Sequence, residues 1–101
     1  MMQFPTEKTK YTTNYTSAMR KDLKRAQKRG YDMQEFAAVV TKLANDTPLD
    51  ERYHDHALEG NWAGHRELHI RPDWLLIYQK KENLLILELS RTGTHADLFK
   101  K

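Results

Sequence analysis

Apolar side chains recur every three or four residues through the first half of the chain, and this spacing predicts two amphipathic helices. Thr16 or Ser17 can cap the first helix, which we expect to run to about residue 29 and to end at Gly30. Asp32, followed by Glu35 three residues later, resembles a capping box and predicts the start of the second helix. The apolar stripes are Met19, Leu23 and Ala26 in the first helix, and Met33, Phe36, Val40 and Leu43 in the second.

Four other segments are predicted as strands. Segment 10–15 is rich in Tyr and Thr, segment 65–70 alternates apolar and polar residues, and segments 74–79 and 84–89 are almost continuously apolar. The resulting order, β-α-α-β-β-β, indicates an α+β fold with the two N-terminal helices packed on one face of a small, mainly antiparallel sheet. We expect residues 1–101 to form a single domain in which residues 1–9 are a flexible extension.

The alternating segment separates its side chains by face. On a strand, Leu68 and Ile70 share one side with Arg66 and can pack under the helices. The opposite side would then carry His65, Glu67, His69 and Arg71. Two histidines are therefore expected to face away from the helical layer.

Composition excludes several classes of chemistry. The chain has no cysteine, so disulfides, thiolate catalysis and cysteine zinc sites are ruled out. The first ten residues lack the apolar core of a signal peptide, and no apolar run is long enough to span a membrane, so we expect a cytoplasmic location. No glycine-rich phosphate loop is present, and we expect no small-molecule cofactor.

Positive charge is concentrated in one segment. The net charge is only +3, but residues 20–29 carry a dense set of basic side chains with a single acid, Asp22. Local charge of this kind attracts phosphate backbones or an acidic protein, although a solvated helix face has the same pattern. The basic residues are Arg20, Lys21, Lys24, Arg25, Lys28 and Arg29.

The histidines supply candidate chemistry for RNA cleavage. The five are His54, His56, His65, His69 and His95. A base that deprotonates the ribose 2′-hydroxyl, an acid that protonates the departing 5′-oxygen and a cation on the phosphate would suffice without a metal. Asp73 could orient an imidazole, and Arg91 suits the phosphate. Phe99, Trp74 or Tyr53 could stack on a base.

A zinc site is the main alternative for these imidazoles. Segments HDH (54–56) and HRELH (65–69) together hold four histidines. The second pair falls in a strand-like pattern, however, and lacks the helical geometry and glutamate position of an HExxH site. We therefore expect no metal site.

Three motifs resemble one family of bacterial toxins. DHALEGNW (55–62), GHRELHIRPDWLLIY (64–78) and RTGTHADLF (91–99) resemble the YafQ branch of the RelE/ParE superfamily, and the likeness extends over about residues 11–99. The resemblance implies a RelE-like fold and a toxin of a type II toxin–antitoxin system. It also implies cleavage of messenger RNA in the A site of the 70S ribosome and neutralisation by a cognate antitoxin.

The resemblance also assigns roles to residues of this chain. The catalytic set would be His56, His69, Asp73, Arg91 and His95. His95 would be the general acid, the base would be His56, His69 or Asp73, and Arg91 would brace the phosphate. Trp74 and Phe99 would bind substrate, with Phe99 stacked on a base. Contacts to ribosomal RNA phosphates would come from Arg20, Lys24, Arg25, Lys28 and Arg29.

This chain departs from the family pattern at three positions, which are Ala57, Ala63 and His65. None belongs to the implied catalytic set, and His54 and His65 remain extra imidazoles without a role. The alternative function is a non-cleaving ParE-like toxin, or an RNA-binding module, that acts by binding a protein or RNA target. A binder would not need the five implied catalytic residues together, so the sequence favours an enzyme.

Overall fold

A computed structural model describes residues 8–99, so positions 1–7 of the predicted extension lie outside the described residues. The elements are β1 (Thr12–Tyr15), α1 (Ser17–Lys28), α2 (Met33–Ala44), β2 (His56–Ala57), β3 (Arg66–Arg71), β4 (Trp74–Lys81), β5 (Ile86–Gly93) and α3 (His95–Leu98). Single turns of 3₁₀ helix lie at Glu51–Tyr53 and Gly60–Trp62. The predicted α+β order is confirmed, with β2 and α3 as additions. No helix among the described residues has the length and apolarity needed to cross a membrane.

The sheet has the strand order β1-β5-β4-β3-β2. Strand β1 runs parallel to β5, and the other neighbouring strands are antiparallel, so the sheet is mixed but mainly antiparallel as predicted. β4 and β5 are each paired on both sides, which explains their near-continuous apolar sequences. β2 has only two residues, too few to leave a pattern in the sequence.

Apolar residues pack on both faces of the sheet. The larger core joins the stripes of α1 and α2 to one sheet face, where Leu68, Leu76 and Leu87 are fully buried. A smaller cluster on the other face contains Leu75, Ile77 and Leu98, with Leu58, Trp62 and Phe99 against it. The second face is thus covered only by short elements, and polar side chains of the sheet can reach the surface there.

The predicted N-terminal capping residues of α1 and α2 are confirmed, but the predicted capping box of α2 does not form. The Thr16 hydroxyl accepts the Met19 N–H at 3.0 Å, and the Asp32 carboxylate accepts the Gln34 and Glu35 N–H groups at 3.0 and 3.3 Å. The Glu35 carboxylate does not complete a capping box, because it accepts a hydrogen bond from Arg71 Nε at 2.7 Å instead.

The predicted bounds of the last strand were wrong. Leu84 and Leu85 lie in the turn and are 60% and 45% exposed, and Leu85 has a φ of 53°. The strand starts at Ile86 and continues through Arg91 to Gly93, because β4 pairs with it over that whole length. A single helical turn follows at once, with a capping box between Thr94 and Asp97.

Candidate active site

β3 turns its polar side chains to the sheet face that the long helices leave open. Glu67 and His69 lie opposite Ile77 and Leu75 of β4, and directly opposite residues share a face. Leu68 and Ile70 lie in the helix-covered core, as the alternation predicted. This register places His69 on the same face as the smaller apolar cluster.

Glu67 connects two of the predicted catalytic histidines. Strand β2 pairs His56 with Glu67, and His56 Nε2 lies 3.1 Å from Glu67 Oε1. His69 Nε2 lies 3.7 Å from the same oxygen, while its Nδ1 faces the Pro72 carbonyl oxygen at 3.3 Å. Glu67 is 5% exposed. The sequence placed Glu67 on the histidine face but gave it no role, and only the pairing with β2 puts it between the two imidazoles.

His95 and Asp73 form a separate pair at the rim of the site. The first residue of α3, His95, approaches the turn between β3 and β4, where Asp73 Oδ1 accepts the His95 backbone N–H at 3.0 Å and lies 2.7 Å from Nδ1. These contacts from the His95 backbone and ring lower the pKa of Asp73 below its ordinary value. The ionised carboxylate accepts Nδ1–H, so the other ring nitrogen, Nε2, faces away from Asp73.

The imidazoles form a row centred on His69. Its ring centroid lies 6.4 Å from that of His56, 5.8 Å from that of His95 and 5.7 Å from that of His54. His54 therefore joins the cluster. His65 does not, because its ring packs edge-on against Trp62 at 5.1 Å. Of the two histidines to which the sequence assigned no role, only His54 therefore belongs to the cluster around His69.

Arg91 is held by a carboxylate from helix α1. Its Nε and Nη2 donate to Asp22 at 2.7 and 3.1 Å, and its side chain is 26% exposed. The hydrogen bond to Asp22 raises the pKa of Arg91 above its ordinary value. This bond was missed from the sequence, although Asp22 stood out as the single acid in the basic segment.

The aromatic candidates differ in their exposure. Trp74 is 3% exposed and Tyr53 is 4% exposed, so most of each ring is covered by the protein. The assignment of Trp74 to substrate binding stays a prediction. In the folded chain the indole packs against Tyr31 and Phe36, and its Nε1–H donates to the Thr92 hydroxyl at 2.9 Å. Phe99 lies just after α3, half-buried against the smaller apolar cluster.

The basic residues of α1 fall into two groups. Arg29 donates to both oxygens of Asp97, at 2.7 and 3.1 Å, and Arg25 donates to Asp22 at 2.9 Å. Lys24 and Lys28 are exposed, and the structure gives them no acidic partner among residues 8–99. Arg20 lies over the Tyr15 ring at 5.6 Å. Two of the five predicted phosphate contacts, Arg25 and Arg29, are therefore already paired with carboxylates of the chain.

Part of the cluster has the chemistry of a metal site. The ligand atoms of His56, Glu67 and His69 lie within 4.8 Å of one another. Two imidazoles and a carboxylate are ligands that zinc and copper accept. The sequence-based expectation of no metal site rested on the absence of a known motif, and the pairing of β2 with β3 created this group without one.

Comparison with known proteins places the chain among the bacterial toxins of type II toxin–antitoxin systems, as the sequence resemblance implied. Residues 11–100 match the family model for "Bacterial toxin of type II toxin-antitoxin system, YafQ". The chain belongs to the YafQ toxin family. It is 49% identical over 86 residues to the mRNA interferase toxin YafQ of Escherichia coli K12, which covers 84% of this chain and 91% of that protein.

Solved structures of relatives share the fold. YafQ in the E. coli DinJ–YafQ toxin–antitoxin complex has a TM-score of 0.81 and 44% identity over 89% of this chain and 98% of that one. A metal-bound toxin from Helicobacter pylori has a TM-score of 0.84 and 40% identity over 88% of this chain and 99% of that one. These matches confirm the predicted RelE-like fold.

Proposed function

We propose that this protein is a ribosome-dependent endoribonuclease toxin that cleaves messenger RNA by attack of a ribose 2′-hydroxyl and thereby inhibits translation in the bacterial cytoplasm. The observation that carries the proposal is the Asp73–His95 pair, with Nδ1 2.7 Å from Oδ1, beside a row of further imidazoles. The products would be a 2′,3′-cyclic phosphate and a 5′-hydroxyl end. The E. coli relative is named an mRNA interferase, which supports the same reaction class.

His95 is the general acid in this mechanism. Asp73 accepts Nδ1–H and so fixes the tautomer and orientation of the ring, which leaves Nε2 to carry the proton that is delivered to the departing 5′-oxygen. The carboxylate also stabilises the protonated imidazole, as the acid does in other carboxylate–histidine pairs. Both side chains are more than half exposed, so a large RNA substrate can reach them.

His69 is the best-placed base of the three candidates. The Pro72 carbonyl can only accept a hydrogen bond, so the Nδ1 that faces it carries the proton of the neutral ring and Nε2 keeps its lone pair. Its ring lies next to that of His95, as a base and an acid acting on one phosphate require. Asp73 Oδ1 already accepts from the backbone and ring of His95. His56 Nε2 lies within hydrogen-bonding distance of Glu67 Oε1, at 3.1 Å, whereas His69 Nε2 lies 3.7 Å from that oxygen, beyond a hydrogen bond.

Arg91 and Phe99 complete the proposed site. Arg91 would stabilise the negative charge that develops on the phosphorane, a task suited to a guanidinium with a fixed orientation. Phe99 follows α3 directly, four residues after His95, and would stack on a base to align the scissile bond.

The proposed chemistry needs no metal. If a zinc or copper ion bound His56, Glu67 and His69, it would occupy the ring nitrogens that a base must keep free. We therefore expect prior treatment with EDTA to leave the cleavage rate unchanged within twofold. A loss of cleavage after EDTA, restored by one added metal, would refute the metal-independent mechanism.

The proposed partners are a cognate antitoxin and the 70S ribosome with messenger RNA in its A site. The solved E. coli complex of YafQ with DinJ supports an antitoxin partner. Exposed Lys24 and Lys28, together with Arg20, would contact ribosomal RNA phosphates, with Arg25 and Arg29 contributing their exposed edges. Ribosome binding should then weaken steeply with salt, and the Lys24→Gln/Lys28→Gln double variant should lower that salt dependence.

A bacterial translation extract programmed with one defined message tests the function. Wild type, His95→Ala and a matched control, His65→Gln, would be added with and without a block on initiation, and new 5′-ends would be mapped by primer extension. Codon-spaced cuts that require translation, disappear in His95→Ala and persist in the control would support the proposal. Arrested translation with intact message, equal for all three proteins, would instead identify a non-cleaving binder of the ParE-like or RNA-binding kind.

A further inference from the structure

We infer that Asp22 is a positioning residue for RNA cleavage, which fixes the Arg91 guanidinium so that its outer edge is presented to the scissile phosphate. This rests on the proposed function, because it assumes that Arg91 contacts the phosphate. It adds a residue on α1, within the basic segment, whose acidic side chain would otherwise oppose binding to RNA.

Asp22 is built into the structure as an acceptor. The carboxylate is 4% exposed and takes four hydrogen bonds. Oδ2 accepts Arg91 Nε–H at 2.7 Å and the Thr92 backbone N–H at 3.1 Å. Oδ1 accepts Arg91 Nη2–H at 3.1 Å and Arg25 Nη2–H at 2.9 Å. A buried carboxylate with this many donors has a single well-defined orientation, and so do the groups that donate to it.

The contact uses only one edge of the arginine. A guanidinium has five N–H donors in a planar fork, and Asp22 engages Nε and one hydrogen of Nη2. The Nη1 hydrogens and the second Nη2 hydrogen have no partner among residues 8–99, and they form a second fork of the shape that binds two phosphate oxygens. The Arg91 side chain is 26% exposed, and a contact between its second edge and an RNA phosphate requires such exposure.

The same carboxylate also fixes the position of the backbone next to Arg91. By accepting the Thr92 N–H it ties α1 to the β5 backbone one residue beyond Arg91, in the part of β5 where the register with β4 shifts between Ile77 and Tyr78. A register shift locally frees a strand from regular pairing and re-aims its side chains. Asp22 thus holds both ends of the Arg91 residue, the backbone that follows it and the guanidinium.

A double-mutant cycle separates positioning from a general structural role. Single-turnover cleavage of a ribosome-bound message would be measured for wild type, Asp22→Asn, Arg91→Ala and the double variant. Asparagine cannot accept all four donors, so we expect a fall of roughly 10–100-fold in the cleavage rate at saturating protein, with affinity for a 2′-O-methyl message changed less than threefold. Asp22→Asn should have no further effect on cleavage once Arg91 is alanine.

The controls make each outcome decisive. Asp46→Asn removes another ion-paired acid, bound to Lys10 and Lys80, and should cleave at the wild-type rate. Equal losses from Asp22→Asn with and without Arg91 would overturn the inference, as would wild-type cleavage by a folded Asp22→Asn protein. Failure of the wild type itself to cleave would instead refute the proposed function.

A second measurement uses only the wild-type protein, so it does not depend on whether the Asp22→Asn variant folds. In ¹⁵N NMR spectra of the wild-type protein, we expect the Arg91 Nε–H proton to exchange with water at least tenfold more slowly than in urea-unfolded protein. Exchange at the unfolded rate would show that Asp22 does not hold the guanidinium, and would overturn the inference.

Discussion

The buried hydroxyl of Thr92 provides a test of how the end of β5 is fixed in place. Thr92 is 1% exposed; its hydroxyl accepts Trp74 Nε1–H at 2.9 Å and donates to the Leu75 carbonyl at 2.6 Å. Thr92→Val keeps the shape of the side chain but removes both hydrogen bonds. The Trp74 indole, 3% exposed, then has a buried N–H without an acceptor.

The size of the effect follows from that unpaired group. A buried donor that loses its partner costs about 1–3 kcal/mol, whereas the loss of one acceptor contact at a carbonyl that can still bond elsewhere costs less. We therefore expect Thr92→Val to lower the free energy of unfolding by about 2 kcal/mol. For a domain of this size, each kcal/mol lowers Tm by roughly 4–8 °C.

Urea unfolding followed by tryptophan fluorescence would measure the change. With an m-value of about 1–3 kcal/mol/M, the midpoint should fall by roughly 0.7–2 M. The matched control is Thr12→Val, a β1 threonine whose side chain is exposed, for which we expect less than about 0.5 kcal/mol.

A double-mutant cycle with Trp74→Phe identifies the source of the loss. Phenylalanine has no N–H, so Thr92→Val should cost at least about 1 kcal/mol less in that background than in the wild type. An equal cost in both backgrounds, or a wild-type midpoint for Thr92→Val alone, would refute the reasoning.

Two further changes probe the turn that carries His95. Gly93→Ala should destabilise the protein by about 1–3 kcal/mol in urea unfolding, because Gly93 has a φ of 156° and an added Cβ would lie 2.9 Å from Asp97 Oδ2; a change below about 0.5 kcal/mol would contradict this. Hydrogen bonds from Arg29 hold the pKa of Asp97 well below its ordinary value of 3.8, so the folded state binds a proton less readily than the unfolded state. The contribution of Asp97 to stability is therefore complete above the ordinary pKa and is lost as pH falls through the folded-state pKa. The free energies of unfolding of wild type and Asp97→Asn should then differ most at about pH 6 and differ progressively less as pH falls below the ordinary pKa, and a constant difference would refute this.

Local patterns in the sequence predicted the helices well. The capping side chains of Thr16 and Asp32 and the positive φ of Gly30, 79°, lie where the sequence placed them, because a helix start and a helix end depend on residues within one turn. The faces of β3 were also predictable, since side chains alternate along any strand.

Local sequence patterns did not predict where β5 begins or which residues pack against the aromatic candidates. Leu84 and Leu85 extend an apolar run, yet β5 begins at Ile86, because its length is set by pairing with β4. Trp74 is still predicted to bind substrate from its place in a family motif, and its packing against Tyr31 and Phe36 was not visible in that motif. Both outcomes depend on partners that are distant in the sequence.

The sequence by itself determined the residue types of the candidate site, its family and the face of β3 that carries His69. Hydrophobic patterns and sequence motifs are local properties, so they can be recognised without any knowledge of packing. The tertiary structure alone decided which groups meet: β2 brings His56 to Glu67, α3 brings His95 to Asp73, and α1 brings Asp22 to Arg91. Hydrogen bonds and charge interactions fall off within a few ångströms. They therefore depend on the final placement of the strands and helices, which no short stretch of sequence specifies.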